Sequence, residues 1–138
     1  MISTMRRAAA VSAFALRATV ALPAAGVRAG QFDGSKPFLC SMTTIMECDG
    51  SGQCERRTHE AASAPTFLRF DVGTHVLTAG ENRRTTFRST RLDGRLILQG
   101  GENGRGWSAT INEESGQLAA AVVDDDFTFS IFGACTMP

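Results

Sequence analysis

The chain lacks most of the side-chain chemistry on which enzymes depend. It contains no tyrosine, a single tryptophan and only two histidines among 138 residues. No G-x-S-x-G, H-E-x-x-H or P-loop motif occurs, which excludes the standard serine-hydrolase, zinc-protease and nucleotide-binding signatures. The spacing of Cys48, Cys54 and His59 matches no standard zinc site. We therefore expect a non-enzymatic protein with no catalytic residues, no bound metal and no cofactor.

The chain also lacks an apolar run long enough to cross a bilayer, because Arg17 interrupts the N-terminal apolar stretch. That stretch instead has the order of a signal peptide: Arg6 and Arg7, then an apolar region, then small residues that end at Ala29. We predict cleavage near Ala29 and release of the mature chain into the periplasm or the medium. Residues 30–138 would then form a single domain.

Lysine is nearly absent, since Lys36 is the only one, and four of the arginines precede the predicted cleavage site. The whole chain has 14 basic and 14 acidic residues, but residues 1–29 contain no acidic one. Ten basic against fourteen acidic residues leave the mature domain with a net charge of about −4. This charge argues against nucleic acid or anionic lipid as a partner. We expect a monomer without a membrane span, which binds a small ligand or another protein.

All four cysteines lie in the predicted mature domain. An even number of cysteines in a small exported domain indicates two disulfides, which four cysteines can form in three ways. Two glycines between Cys48 and Cys54 would permit the tight backbone path of a short disulfide loop. We predict the pairs Cys48–Cys54 and Cys40–Cys135, the second because of the strand pattern.

Most of the domain consists of short apolar runs that are separated by turn residues. Their spacing leaves no room for crossover helices, which predicts an antiparallel up-and-down meander. Asp93-Gly94 is a strong hairpin signal. Residues 117–123 are apolar on both faces and could also be helical, but we predict a strand because strands flank them at hairpin distance. The other helix candidate is residues 54–64, which end before Pro65 and form either a short helical turn or a loop. The predicted strands cover residues 37–45, 66–72, 75–79, 84–92, 95–99, 107–111, 117–123 and 127–136.

The first and the last predicted strands each carry a cysteine on their apolar face. Every second residue of a strand points to the same face, so Cys40 shares a face with Phe38, and Cys135 shares a face with Ile131. If these strands pair, the meander closes into a barrel or sandwich without free edges, and a Cys40–Cys135 disulfide fixes the closure. The predicted fold is therefore all-β, an up-and-down meander closing to a barrel or sandwich, with at most one short helical turn.

The most distinctive stretch is RLILQGGENGRGWSATINEESGQL, residues 95–118. Its glycines surround Glu102, Asn103 and Arg105, and the only tryptophan, Trp107, follows. We hypothesise a binding loop in which Arg105 holds an anion or carboxylate and Trp107 offers a stacking surface. The competing interpretation is a flexible hairpin connection followed by a core tryptophan.

Together with the closing FGACT, this stretch resembles small exported, disulfide-containing bacterial β proteins of unassigned activity. The resemblance covers roughly residues 38–136; it implies a secreted one-domain β protein and supplies no activity. Three roles remain open: a ligand- or protein-binding module, an accessory envelope protein without a small ligand, and a periplasmic protein like the inhibitors of c-type lysozyme. The SASGARY-like run of those inhibitors is missing here. A hollow barrel would favour the first role and a filled barrel the second.

Overall fold

A computed structural model describes residues 30–138, so the predicted signal peptide lies outside the described residues. The described part contains nine β-strands and no helix. Their bounds are β1 Phe38–Asp49, β2 Cys54–Arg57, β3 Phe67–Asp71, β4 Val76–Ala79, β5 Arg83–Leu92, β6 Arg95–Glu102, β7 Arg105–Asn112, β8 Gln117–Val123 and β9 Phe127–Thr136.

Eight of the strands form a closed antiparallel barrel. From β3 to β9 each strand pairs with the next one in the chain, β1 pairs with β3, and the pairing of β1 with β9 closes the sheet on itself. The predicted all-β meander is thus confirmed as a barrel. Closure removes the exposed edges that an open eight-stranded sheet would have.

The ninth strand, β2, extends one side of the barrel. β3 pairs with β1 only up to Ser41, and β2 pairs with the same edge of β1 from Ile45 onward. The register along β1 and β9 shifts between Met42 and Thr44, where a β-bulge bends the strand. The expectation of a helical turn or loop over residues 54–64 is wrong for its first four residues, which form β2.

Two-residue turns close the hairpins β5–β6 and β6–β7. Asp93 and Gly94 have φ angles of 50° and 72°, and Asn103 and Gly104 have φ angles of 51° and 80°. A two-residue turn whose central residues both have positive φ matches the twist of the paired strands. The sequences Asp-Gly and Asn-Gly favour this turn. The predicted Asp93-Gly94 hairpin is confirmed. The flexible connection considered for residues 100–106 is wrong, because β6 and β7 continue until only Asn103 and Gly104 remain between them.

Both predicted disulfides are present. Cys40 lies directly opposite Cys135 in the β1–β9 ladder, and Cys48 lies opposite Cys54 in the β1–β2 hairpin. The first joins the two strands that close the barrel and spans 95 positions of the chain, whereas the second spans 6. Two disulfides fit an oxidising, extracellular type of compartment.

Large side chains fill one end of the barrel interior, which we call the packed end. A row of aromatic rings runs through it. The ring centres of Phe32 and Phe38 are 5.9 Å apart and those of Phe70 and Phe87 6.0 Å apart, both in edge contacts, and a tilted contact at 5.5 Å joins Phe38 to Phe70. The buried residues of the packed end are Phe32, Phe38, Cys40, Phe70, Leu77, Phe87, Leu96, Leu98, Ala109, Ile111 and Leu118.

The segment before β1 plugs the packed end. The backbone N–H of Phe32 donates to the carbonyl of Glu113 at 2.9 Å. Glu113 is itself buried, and its carboxylate accepts two hydrogen bonds from Arg91, at 2.6 and 2.9 Å. A bidentate arginine satisfies a carboxylate that would otherwise be costly to bury. This ion pair therefore holds the plug in place.

Candidate functional site

A cavity of about 180 Å³ occupies the other end of the barrel, which we call the hollow end. Phe70, Leu77 and Leu118 of the packed end form its floor, and Ile45, Phe129 and Ile131 form part of its wall. The remaining lining residues are Ala62, Ser63, Ala64, Pro65, Leu68, Ala79, Arg83, Thr85, Glu102, Asn103, Arg105, Trp107, Ala109, Ala120, Ala121 and Val122.

Small inward-facing residues leave this space open. Side chains alternate between the two faces of a strand, so every second residue of each strand points into the barrel. At the hollow end several of these positions hold alanine, among them Ala79 on β4 and Ala120 on β8. At these positions the hollow end has a methyl group, beside the larger walls formed by Ile45, Phe129 and Ile131. The shortage of side-chain volume is the physical cause of the cavity.

Trp107 forms one wall of the cavity and lies across the neighbouring strand. Its partner in the β6–β7 ladder is Gly100. A methyl group at Gly100 would approach the indole ring to 2.5 Å, so only glycine leaves room for the ring there. The indole also makes an edge contact with Phe87, at 6.2 Å between ring centres. Glycine opposite an aromatic residue is a known pairing in sheets. Trp107 is thus fixed in position while one side stays open to the cavity.

Arg105 lies at the rim of the cavity, and the protein itself supplies a carboxylate for it. Its Nε donates to Oδ2 of Asp124 at 2.6 Å, and its guanidinium lies 5.2 Å from the ring centre of Phe127. Hydrogen bonds with Asp125 and with Arg105 lower the pKa of Asp124 to about 2. Glu102, which lies opposite Arg105 in the β6–β7 ladder, is instead near Arg83. An external carboxylate would have to compete with Asp124 for this guanidinium.

Three further polar side chains line the rim near Arg105. The Nε of Arg83 lies 3.8 Å from Oε2 of Glu102, which is too long for a hydrogen bond. Asn103 occupies the first position of the β6–β7 turn, where its positive φ explains the choice of asparagine. No side-chain hydrogen bond of Arg83, Glu102 or Asn103 occurs within residues 30–138. We call Arg83, Glu102 and Asn103 the polar rim.

The connection between β2 and β3 covers the opposite side of the cavity. Thr58 begins a single turn, because its hydroxyl accepts a hydrogen bond from the N–H of Ala61. The turn ends where the N–H of Ala64 reaches the carbonyl of His59 at 2.8 Å, with Ser63 at a φ of 49°. This hydrogen-bond pattern is typical of the C-terminal end of a helical turn, and it normally has glycine at the position of Ser63. Ala62 and Ala64 pack against the interior cluster, so this covering segment, residues 58–66, is anchored to the barrel.

The four residues that the sequence hypothesis selected, Glu102, Asn103, Arg105 and Trp107, line one cavity. The sequence reasoning missed Arg83, the covering segment and the alanines. Arg83 carries no local motif, and the pairing of β5 with β6 brings it to Glu102. Ala120 lies among three consecutive alanines, residues 119–121, so its sequence context indicates neither its inward direction nor the empty volume beside it.

No helix within residues 30–138 has the length and apolar character needed to span a membrane. Within the same residues no group of three or more histidine, cysteine, aspartate or glutamate side chains is arranged to hold a metal ion. Comparison with known proteins finds no matching family model, no matching curated protein and no matching solved structure.

Proposed function

We propose that this protein is a non-enzymatic binding module, exported with residues 1–29 as its signal peptide, which takes a small and mainly apolar ligand into the hollow end of its barrel. The observation that carries the proposal is the cavity of about 180 Å³ with Trp107 on its wall. An engineered apolar cavity of about 150 Å³ is large enough to hold benzene. Drug-sized ligands occupy larger pockets, of about 300–1,000 Å³. The ligand is therefore about the size of one aromatic ring with a short substituent.

The position of the cavity supports binding over a purely structural role. A barrel whose only task is to be stable gains from filling its interior, because empty space forfeits packing contacts. This barrel is filled at one end and leaves the other end open beside a fixed aromatic ring. Ligand sites commonly combine an apolar cavity with a few polar groups at its entrance, as Arg83 and Glu102 provide here.

The single tryptophan supplies the test. Trp107 is the only tryptophan and no tyrosine is present, so the intrinsic fluorescence of the protein reports on the cavity wall alone. Titration with toluene is expected to give a saturable change in this fluorescence and a shift of the indole N–H resonance in NMR spectra.

Two leucine variants on one strand provide the comparison. Ala120→Leu adds three heavy atoms inside the cavity and is expected to abolish the toluene response. Ala119→Leu adds the same atoms on the exposed outer face of β8 and is expected to leave the response intact. A wild-type titration without saturable change, or an unchanged response in a folded Ala120→Leu variant, would contradict the proposed function.

A further inference from the structure

We propose that the ligand of this cavity carries a net-neutral head group that both donates and accepts hydrogen bonds, of the carboxamide type, and that the polar rim recognises this head. The inference rests on the proposed function and adds the chemical class of the ligand. It replaces the anion-binding role that the sequence hypothesis assigned to Arg105.

The charged side chains that line the cavity, taken together with Asp124, which pairs with one of them, cancel in formal charge; Asp125 and Asp126 follow Asp124 in the chain but do not line the cavity. Arg83 and Arg105 contribute two positive charges, and Glu102 and Asp124 contribute two negative ones. A site for a bare anion or cation would keep an excess of the opposite charge, because a like charge close to the ligand opposes binding. The balance at this rim favours a ligand without net charge.

One of the two ion pairs is complete without a ligand. Arg105 and Asp124 are joined at 2.6 Å, and the guanidinium also contacts the ring of Phe127. The remaining N–H groups of Arg105 belong to a guanidinium whose charge Asp124 already balances, so an external anion there would lie close to the negative charge of Asp124. Arg105 therefore gains little from an anionic ligand, and the less constrained pair at the rim is Arg83 with Glu102.

The other pair is a loose one whose hydrogen-bonding groups stay available to a head group that lies beside both side chains. Arg83 and Glu102 approach only to 3.8 Å, and both side chains line the cavity. The guanidinium offers donors, the carboxylate offers acceptors, and the amide of Asn103 offers both. A carboxamide can accept from Arg83 through its oxygen and donate to Glu102 through its nitrogen. A carboxylate would meet repulsion from Glu102, and an ammonium group would meet repulsion from Arg83.

Three probes with the same phenyl ring and nearly the same length test the head group: phenylacetamide, phenylacetate and 2-phenylethylammonium. Toluene serves as the ring without a head. Titrations followed by Trp107 fluorescence and NMR are expected to rank phenylacetamide first, by about fivefold or more over either charged probe, the factor associated with one exposed charge interaction.

Single-charge variants sharpen the test. Glu102→Gln leaves the rim positive and is expected to raise the affinity for phenylacetate relative to phenylacetamide. Arg83→Gln leaves it negative and is expected to raise the affinity for 2-phenylethylammonium in the same way. Arg84→Gln removes the same charge from the neighbouring, exposed residue that does not line the cavity, and it is expected to preserve the wild-type ranking.

The outcomes separate the two proposals. If toluene binds but a charged probe binds best to the wild-type protein, the neutral head group is wrong and the binding function stands. An unchanged ranking in both Glu102→Gln and Arg83→Gln would also overturn the role of the polar rim. If neither toluene nor any of the three probes binds, the proposed function fails and the head-group inference fails with it.

Discussion

The two ends of this barrel obey the same strand geometry and differ in side-chain volume. At the packed end Phe38, Leu98 and Ile111 are completely buried and Phe32 seals the opening. At the hollow end several inward positions hold alanine, and the covering segment contributes Ala62 and Ala64. Alternation alone decides which residues face inward. The size of those residues decides whether the interior is filled or contains a cavity.

The two ends also differ in the contacts that should stabilise the fold. The packed end contains the barrel-closing disulfide, the aromatic row and the buried Glu113. The hollow end contains the shorter disulfide, the longer irregular connection and an ion pair at the rim. Stability should therefore depend mainly on the packed end, which leaves the residues of the hollow end free to follow the needs of a ligand.

The largest expected effect is the loss of the barrel-closing disulfide. Replacing Cys40 and Cys135 together by serine should lower the free energy of unfolding by about 4–5 kcal/mol, because the crosslink constrains a long loop of the unfolded chain. Replacing Cys48 and Cys54 together should cost only about 2 kcal/mol, because their loop is short. Denaturant unfolding of both double variants measures the two costs.

Double replacement keeps the comparison clean, since neither variant retains an unpaired thiol. Position 40 is buried and position 54 is exposed, so the burial of a serine hydroxyl should further raise the cost of the Cys40/Cys135 replacement. Equal costs for the two double variants would contradict the assignment of stability to the packed end.

The next effect compares two leucines that face the same interior. Leu98 is fully buried at the packed end, and Leu68 is partly buried beside the cavity. Leu98→Ala should cost about 3–5 kcal/mol, because it leaves a void in a dense environment. Leu68→Ala enlarges space that is already open and should cost about 2 kcal/mol or less. Thermal and denaturant unfolding of the pair provide the measurement, and the reverse order would mean that the hollow end is the better packed one.

Sequence pattern was sufficient for the features that depend on local chemistry. Strand alternation placed Cys40 and Cys135 on inward faces, and the Asp93-Gly94 turn followed from the conformational needs of a tight hairpin. The same rule applied to Asn103-Gly104 would have shown that β6 and β7 continue to Glu102 and Arg105. The full length of these two strands was missed because the surrounding glycines suggested a flexible hairpin connection.

Other features could not be read from the sequence, because they depend on the exact register and length of the strands. Arg105 and Asp124 are 19 positions apart and meet only through the pairing of β7 with β8. Short β2 was missed because its four residues, CERR, carry no apolar alternation. The cavity itself is a difference between interior volume and the summed volume of side chains, a quantity that no short sequence window contains.

The smallest expected effect concerns the ion pairs of the two ends under acid. Hydrogen bonds with Asp125 and Arg105 lower the pKa of Asp124 to about 2 in the folded protein, against roughly 3.9 for an unfolded aspartate. A lowered pKa in the folded state means that the stabilisation is present above the unfolded pKa and is lost as the pH falls through the folded one. Wild-type protein should therefore exceed Asp124→Asn in stability near neutral pH, and this difference should shrink as the pH falls below about 4 and vanish below about pH 2.

At the packed end Arg91 lowers the pKa of Glu113 in the same direction, and Glu113 accepts two short hydrogen bonds in a more buried place. Urea midpoints measured at a series of pH values should accordingly show an acid-dependent loss relative to Glu113→Gln as well as relative to Asp124→Asn. A difference between wild type and either variant that stays constant from about pH 7 to about pH 2 would mean that the charge of that carboxylate does not stabilise the barrel.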